Sequence, residues 1–99
     1  MAMIRNFIGR PTQDLFDGED SRHARKVPVQ LHPKARRLLD QLNAANNAEV
    51  LRIPPGNRLE KLGGGLQEHW SIRINRQWRV IFQWEGQDAV NVQIVDYHD

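Results

Sequence analysis

The stretch that decides the fold is residues 70–95, WSIRINRQWRVIFQWEGQDAVNVQIV. Apolar and polar side chains alternate along three segments of this stretch, which is the spacing of β-strands with one buried face. Turn-forming residues separate the segments at 75–77 and at 85–89. The stretch therefore predicts an antiparallel sheet with a largely polar face and a helix-covered face.

The first hairpin brings two arginines together. The apolar faces must coincide, which fixes the parity of the pairing. If the hairpin places Ile74 opposite Trp78, Arg73 lies opposite Arg79 on the polar face. Like charges directly across a strand pair are destabilising, so a bound anion would explain the pair. A salt-bridged or solvated surface is the alternative explanation, and the alternation does not decide between them.

The second hairpin extends this polar face. If Trp84 pairs near Val90 and no β-bulge intervenes, Arg79 faces Val95 and Tyr97 falls on the arginine face. His69 and Ser71 follow along the neighbouring strand. Two guanidinium groups can hold one phosphate, and a tyrosine beside them can stack on a base.

The part of the chain before this three-stranded meander, residues 70–95, is predicted as mixed α and β structure. Residues 3–8 form a short strand, and Pro11 to Phe16 a helical turn that Gly18 stops. Apolar residues at helical spacing then predict the main helix, in which Pro33 suits the first turn. These residues are Leu31, Ala35, Leu38, Leu39, Leu42 and Ala45, while Lys34, Arg36 and Arg37 fall on the solvent side.

A short strand at 58–62 and a plain turn at Gly63, Gly64 and Gly65 precede the meander. With 99 residues, the chain is expected to be one α+β domain, 1–99.

Composition narrows the class of protein. The chain has no cysteine, which excludes disulfides and thiolate catalysis, and no apolar run long enough for a membrane span. Its net charge is only +2, yet residues 22–37 carry six basic side chains and no acidic one. This segregation suggests a polyanionic partner, although a solvated basic face is the other explanation. We expect a cytoplasmic protein without a membrane segment.

The polar face contains groups suited to RNA cleavage. RNA supplies its own nucleophile, the 2′-hydroxyl, so a site needs a proton acceptor, charge stabilisation at phosphorus and a proton donor. His98 and Asp96 add a titratable pair at the strand end. The four histidines lack metal-ligand spacing, which predicts no metal site. A triad of Ser71, His98 and Asp96 lacks the nucleophile-elbow motif.

Four segments in this order resemble the HigB-type toxins of the RelE/ParE superfamily. They are PPGNRLEKL at 54–62, WSIRIN at 70–75, QWRVIF at 77–82 and VDYH at 95–98. The preceding elements follow the same order, so the resemblance covers essentially the whole chain.

The resemblance implies a RelE-like fold with two helices packed on one side of a small, mainly antiparallel sheet. It also implies ribosome-dependent cleavage of mRNA by 2′-hydroxyl attack, with neither metal nor cofactor. The implied partners are the ribosome, mRNA and a HigA-like helix-turn-helix antitoxin, through which the toxin would reach operator DNA.

By position, the resemblance implies catalytic roles for Arg79, Tyr97, His98, Asp96 and Glu60, and phosphate contacts by Arg58 and Lys61. Arg73 is a further candidate for phosphate contact, which the strand register suggests and the resemblance does not. Some relatives carry a histidine in place of Glu60. A glutamate can also accept a proton, but it adds negative charge near the phosphate.

Two alternatives remain open at this point. A ParE-like toxin would act on DNA gyrase by binding, without nuclease chemistry. A non-catalytic RNA- or protein-binding module would retain only the fold, and Glu60 is the best argument for it. Retention of Arg79, Tyr97 and His98 favours the nuclease.

Overall fold

A computed structural model describes residues 3–63 and 68–97 of the chain. Its four strands form one antiparallel sheet in the order β1-β2-β3-β4. The strands are β1 (Glu60–Lys61), β2 (Trp70–Arg73), β3 (Trp78–Glu85) and β4 (Asp88–Asp96).

Two helices, α1 (Arg10–Phe16) and α2 (His32–Ala44), pack together on one side of the sheet. Short 3₁₀ turns lie at Ala24–Lys26, Val29–Leu31, Ala48–Arg52 and Pro55–Asn57. The α+β, mainly antiparallel architecture with two helices on one side is therefore confirmed. In the described ranges, no helix has the length and apolar character needed to cross a membrane.

The core fills the space between the helices and the sheet. Fully buried side chains from α2 meet alternate residues of β2, β3 and β4, including Ile72, Val80, Phe82 and Val92. Each such side chain contributes roughly 1.5–3 kcal/mol when it leaves water. Trp70, Trp78 and Trp84 pack against this core, as their positions in the alternation predicted.

Helix α2 follows its predicted stripe, with one correction on the opposite face. Ala35, Leu38 and Leu42 are buried as expected. Arg36, predicted on the solvent side, is half-buried, and its Nε donates to the Leu15 carbonyl at 3.1 Å. Its guanidinium thus satisfies a carbonyl near the end of α1, a role that helical spacing does not reveal.

The β2–β3 register is the predicted one, with Ile72 opposite Val80 and Arg73 opposite Arg79. The Asn75 side chain closes the turn by accepting hydrogen bonds from the amides of Gln77 and Trp78, at 2.9 and 2.7 Å. An Asx turn of this kind fixes the hairpin locally.

The β3–β4 register is predicted correctly at one end and wrongly at the other. Arg79 lies opposite Val95, as expected, but Trp84 lies opposite Ala89 and not Val90. The register shifts between Ile81 and Gln83, and Asn91 adopts a left-handed φ of 53° nearby. This irregularity is the bulge whose absence the prediction had assumed.

The predicted first strand at 3–8 is replaced by an irregular segment along β4. It makes two isolated parallel bridges, Ile4 with Ala89 and Phe7 with Val92. Between them the Asn6 side chain accepts from the Asn91 amide at 2.9 Å. The left-handed Asn91 interrupts the ladder, so a regular strand does not form.

The strand predicted at 58–62 is also shorter. Arg58 has a left-handed backbone, with φ 46° and ψ 57°, so β1 cannot extend back to it. Gly63 lies outside the strands, while Gly64 and Gly65 of the predicted turn lie outside the described residues.

Helix α1 is attached to β4 by a buried hydroxyl. Thr12 is 1% exposed, and its Oγ1 accepts a hydrogen bond from the Ile94 amide at 2.9 Å. The backbone hydrogen bonds between the N-terminal segment and β4 end at Val92, so the Thr12 hydroxyl is the group that pairs with the Ile94 amide.

We expect Thr12→Val to lower the free energy of unfolding by about 1–3 kcal/mol, because it leaves the buried Ile94 amide unsatisfied. Urea unfolding should show a lower midpoint with an unchanged m value. Thr12→Ser keeps the hydroxyl and is the matched control. Equal losses in the two variants would contradict this explanation.

Asp14 links α1 to the turn that follows. Its buried carboxylate accepts a hydrogen bond from the Ser21 hydroxyl at 2.6 Å, which in turn accepts from the Ala24 amide. The Ser21 hydrogen bond, followed by the charge of Arg10, holds the pKa of Asp14 below its usual range against the opposing effect of desolvation.

Because the pKa of Asp14 is lowered in the folded state, its stabilisation is present above the unfolded pKa and is lost as pH falls through the folded one. We expect Asp14→Asn to destabilise the protein at pH 7, and the difference from wild type to shrink below about pH 4. Thermal unfolding across pH tests this. Asp17→Asn, at an exposed position, controls for loss of charge, and a difference independent of pH would refute the assignment.

Candidate functional site

The sheet surface that is turned away from α1 and α2 is the open face. Cross-strand partners lie on the same side of a sheet, so the register assigns its members. On β2, β3 and β4 they include Ser71, Arg73, Arg79, Ile81, Gln83, Val90, Gln93 and Val95. Tyr97, directly after β4, joins them through its contact with Arg79.

Arg79 and Tyr97 form the centre of this face. Arg79 is only 2% exposed, and its guanidinium carbon lies 5.5 Å from the centroid of the Tyr97 ring. This is within the range of a cation–π contact. The Tyr97 amide donates to the Gln77 carbonyl, which continues the ladder past β4 and holds the ring in place.

Arg73 lies directly opposite Arg79 across β2 and β3. Two positive side chains are therefore adjacent on one face, and one of them is shielded from water. Arginine stays charged inside proteins, so this arrangement costs free energy unless an anion or hydrogen-bonding partners compensate. Guanidinium groups can hold a phosphate through paired hydrogen bonds, so a phosphate is one anion that could compensate.

Ser71 and Ile81 line the next part of the open face. They are cross-strand partners, 1% and 5% exposed. Within the described part of the chain, the Ser71 hydroxyl has no hydrogen-bond partner. Sequence reasoning missed Ile81; its signal was a β-branched apolar residue at a polar position of the alternation.

Glu60 and Lys61 are consecutive residues of β1, so their side chains lie on opposite faces of the sheet. Glu60 lies opposite Ser71, on the open face, roughly 10 Å across the sheet from the β3 strand that carries Arg79. Lys61 lies opposite Trp70, on the other face, with its Nζ 5.0 Å from the Trp70 ring centroid. The structure thus brings Glu60 towards the arginines and directs Lys61 away from them.

The same alternation separates Tyr97 from Asp96. Asp96 lies opposite Trp78, and its Oδ2 accepts a hydrogen bond from Gln77 Nε2 at 3.1 Å. Asp96 is therefore at the end of the sheet, and its position in the alternation does not belong to the open face. Arg58 is exposed and immediately precedes Leu59 and β1. His98 lies outside the described residues.

Across 3–63 and 68–97, no three side chains of the metal-ligating types come together as a possible metal site. Sequence reasoning also missed Asn57, a buried asparagine that contacts α2 and two carbonyl groups of the preceding segment. Its place after Pro55-Gly56 was the available signal, since asparagine is common in such turns.

Comparison with known proteins identifies the family. Residues 11–98 match the family described as "RelE-like toxin of type II toxin-antitoxin system HigB". Toxin HigB-1 of Vibrio cholerae serotype O1 is 44% identical over 79 residues, covering 80% of this chain and 82% of that protein. An uncharacterized protein of Haemophilus influenzae is 36% identical over 69 residues, covering 70% and 68%.

Solved structures agree on the fold. YafQ from E. coli strain BL21(DE3) superposes with a TM-score of 0.55 at 11% identity, covering 97% of this chain and 91% of that one. The YoeB/ParE toxin from Agrobacterium tumefaciens gives 0.54 at 14% identity and covers both chains fully. At such low identity the likeness concerns architecture alone. The family match and the identity to Toxin HigB-1 show that this chain belongs to the HigB-like toxins of type II toxin–antitoxin systems, within the RelE superfamily.

Proposed function

We propose that this toxin is an endoribonuclease that cleaves mRNA on the ribosome, and that the open face is its active site. The observation that carries the proposal is the shielded Arg79, beneath Tyr97 and opposite Arg73. A phosphodiester is the ligand whose charge and geometry best match two adjacent guanidinium groups.

The chemistry follows from the groups that RNA and the chain supply. The 2′-oxygen bonds to phosphorus and the bond from phosphorus to the 5′-oxygen breaks, leaving a 2′,3′-cyclic phosphate and a 5′-hydroxyl. Glu60 accepts the proton from the 2′-hydroxyl, and His98 donates one to the leaving oxygen. Arg79 and Arg73 stabilise the charge that develops on the phosphate.

Tyr97 has a supporting role in this proposal. Its ring lies 5.5 Å from the guanidinium carbon of Arg79, and the low exposure of Arg79 strengthens its interaction with the phosphate. The same ring can stack on a base beside the scissile bond. The substrate provides the nucleophile and side chains exchange the protons, so the reaction needs no metal.

A type II toxin has an antitoxin partner. We propose a HigA-like helix-turn-helix antitoxin that silences this chain and carries it to operator DNA. The ribosome and mRNA are the proposed targets, which places the toxin in the cytoplasm.

Arg79→Ala is expected to reduce mRNA cleavage about 10²–10³-fold, because one donor to the transition-state phosphate is lost. The experiment is induced expression in a bacterium with mapping of mRNA 5′ ends, alongside cleavage by purified protein on programmed ribosomes. Arg76→Ala removes an exposed arginine from the nearby turn and is the matched control. Circular dichroism verifies folding.

A deletion of Tyr97 and His98 should likewise abolish new mRNA ends within translated codons. Growth arrest without mRNA breaks, or arrest unchanged in Arg79→Ala and the deletion, would instead indicate a gyrase-binding or other non-nucleolytic toxin. Rapid cleavage of free RNA would contradict the dependence on the ribosome.

Glu60→Gln is expected to slow cleavage about 10²–10⁴-fold, because it removes the proton acceptor. Glu60→His restores an acceptor and removes a negative charge beside the phosphate, so it should cleave at least as fast as wild type at pH 8. Single-turnover rates on ribosomes measure both. Wild-type speed in Glu60→Gln would exclude Glu60 as the base.

A further inference from the structure

Asn57 is a buried polar side chain outside the site, at the point where the chain enters β1. It is 4% exposed, and its Nδ2 donates to the Leu51 carbonyl at 3.0 Å, with the Ile53 carbonyl at 3.4 Å. These contacts hold the segment from Leu51 to Asn57 in a closed loop. None of them involves a group of the proposed reaction.

Gln41 on α2 joins this loop to the helix layer. Its Oε1 accepts from Asn57 Nδ2 at 3.2 Å, and its Nε2 donates to the Ile53 carbonyl at 2.8 Å. We call this pair the Gln41–Asn57 clamp. Through it, a half-buried side chain of α2 holds the residue that directly precedes Arg58.

The segment after the clamp is held by a short pairing. β1 contains two residues and makes two Cα pairs with β2, followed by a hydrogen bond from the Leu62 amide to the His69 carbonyl at 2.9 Å. Arg58 adopts a left-handed backbone, which disfavours a residue with a Cβ atom and persists only where the surroundings impose it. The Arg58 amide donates to the Pro55 carbonyl at 3.1 Å, which ties this conformation to the Pro55–Asn57 turn, whose last residue the clamp holds.

Leu59 anchors the segment, with 7% exposure. Hydrophobic burial is non-directional, however, and does not orient the flanking side chains. The hydrogen bonds of the clamp are directional, and they act on the residue next to Arg58.

We propose that the Gln41–Asn57 clamp positions Arg58 and Glu60 for RNA cleavage, so that both residues of the clamp are positioning residues that never touch the substrate. This inference rests on the proposed nuclease function. It extends that function from the open face to α2, through the loop that precedes β1.

A double-mutant cycle tests the proposal. Single-turnover cleavage on programmed ribosomes is measured for wild type, Asn57→Ala, the pair Arg58→Ala with Glu60→Ala, and the triple variant. We expect Asn57→Ala to slow cleavage about 10- to 100-fold, since small displacements of catalytic groups cost this much. In the background that lacks both side chains, it should slow the residual reaction by less than about twofold. The affinity of Asn57→Ala for ribosomes should stay within about twofold of wild type, because the substitution removes no basic side chain.

The control is Asn47→Ala. Asn47 is exposed and lies before the Leu51–Asn57 loop, and its Oδ1 accepts from the Glu49 amide at 2.9 Å. The variant removes an asparagine side-chain hydrogen bond without touching the clamp, so its cleavage rate should remain near that of wild type.

If Asn57→Ala does not fold, Gln41→Met enters the same cycle, because it removes only the half of the clamp that lies on α2. If Asn57→Ala slowed cleavage by the same factor in both backgrounds, the positioning role would be overturned and the clamp would have a purely structural role. Absence of cleavage by wild type would overturn the nuclease proposal itself, and the inference with it. The two failures are distinguishable, because the first requires a wild type that cleaves.

Discussion

The register between β2 and β3 is the constraint on which the rest of the structure depends. Ile72 and Val80 face each other across the pair and enter the core together, and both are fully buried. A slip by one residue would turn every apolar side chain of one strand to the opposite face. The Asx turn at Asn75 reinforces the register locally. Core burial on one face therefore places Arg73 opposite Arg79 on the other.

This constraint explains why an unfavourable pair of charges persists on the open face. Repulsion between cross-strand arginines costs up to about 1 kcal/mol, whereas a slip would expose several buried apolar side chains at roughly 1.5–3 kcal/mol each. The hydrophobic term is larger, so the fold keeps the arginines together without any ligand. In the proposed active site, the fold itself would thus bear part of the electrostatic cost of bringing positive charge to a phosphate.

Alternation and helical spacing were sufficient to predict the sheet, the main helix and the arginine pair. They could not predict the bulge, because it depends on the left-handed backbone of Asn91 and its contacts with Asn6, a residue 85 positions away. The half-buried Arg36 and the buried Asn57 escaped prediction for the same reason. Arg36 donates to the Leu15 carbonyl, 21 positions away, and Asn57 donates to Gln41 on α2, 16 positions away, so tertiary packing supplies these partners.

The candidate site shows the same division between local and tertiary information. A resemblance over consecutive residues, such as Glu60-Lys61 or Asp96-Tyr97, implies roles for both neighbours. A β-strand sends successive side chains to opposite faces, so one member of each pair reaches the open face and the other does not. Glu60 and Tyr97 share that face with Arg79, whereas Lys61 stacks on Trp70 and Asp96 pairs with Gln77. Within a strand, parity of position is therefore the physical criterion for separating residues that can contact one phosphate from those that act elsewhere.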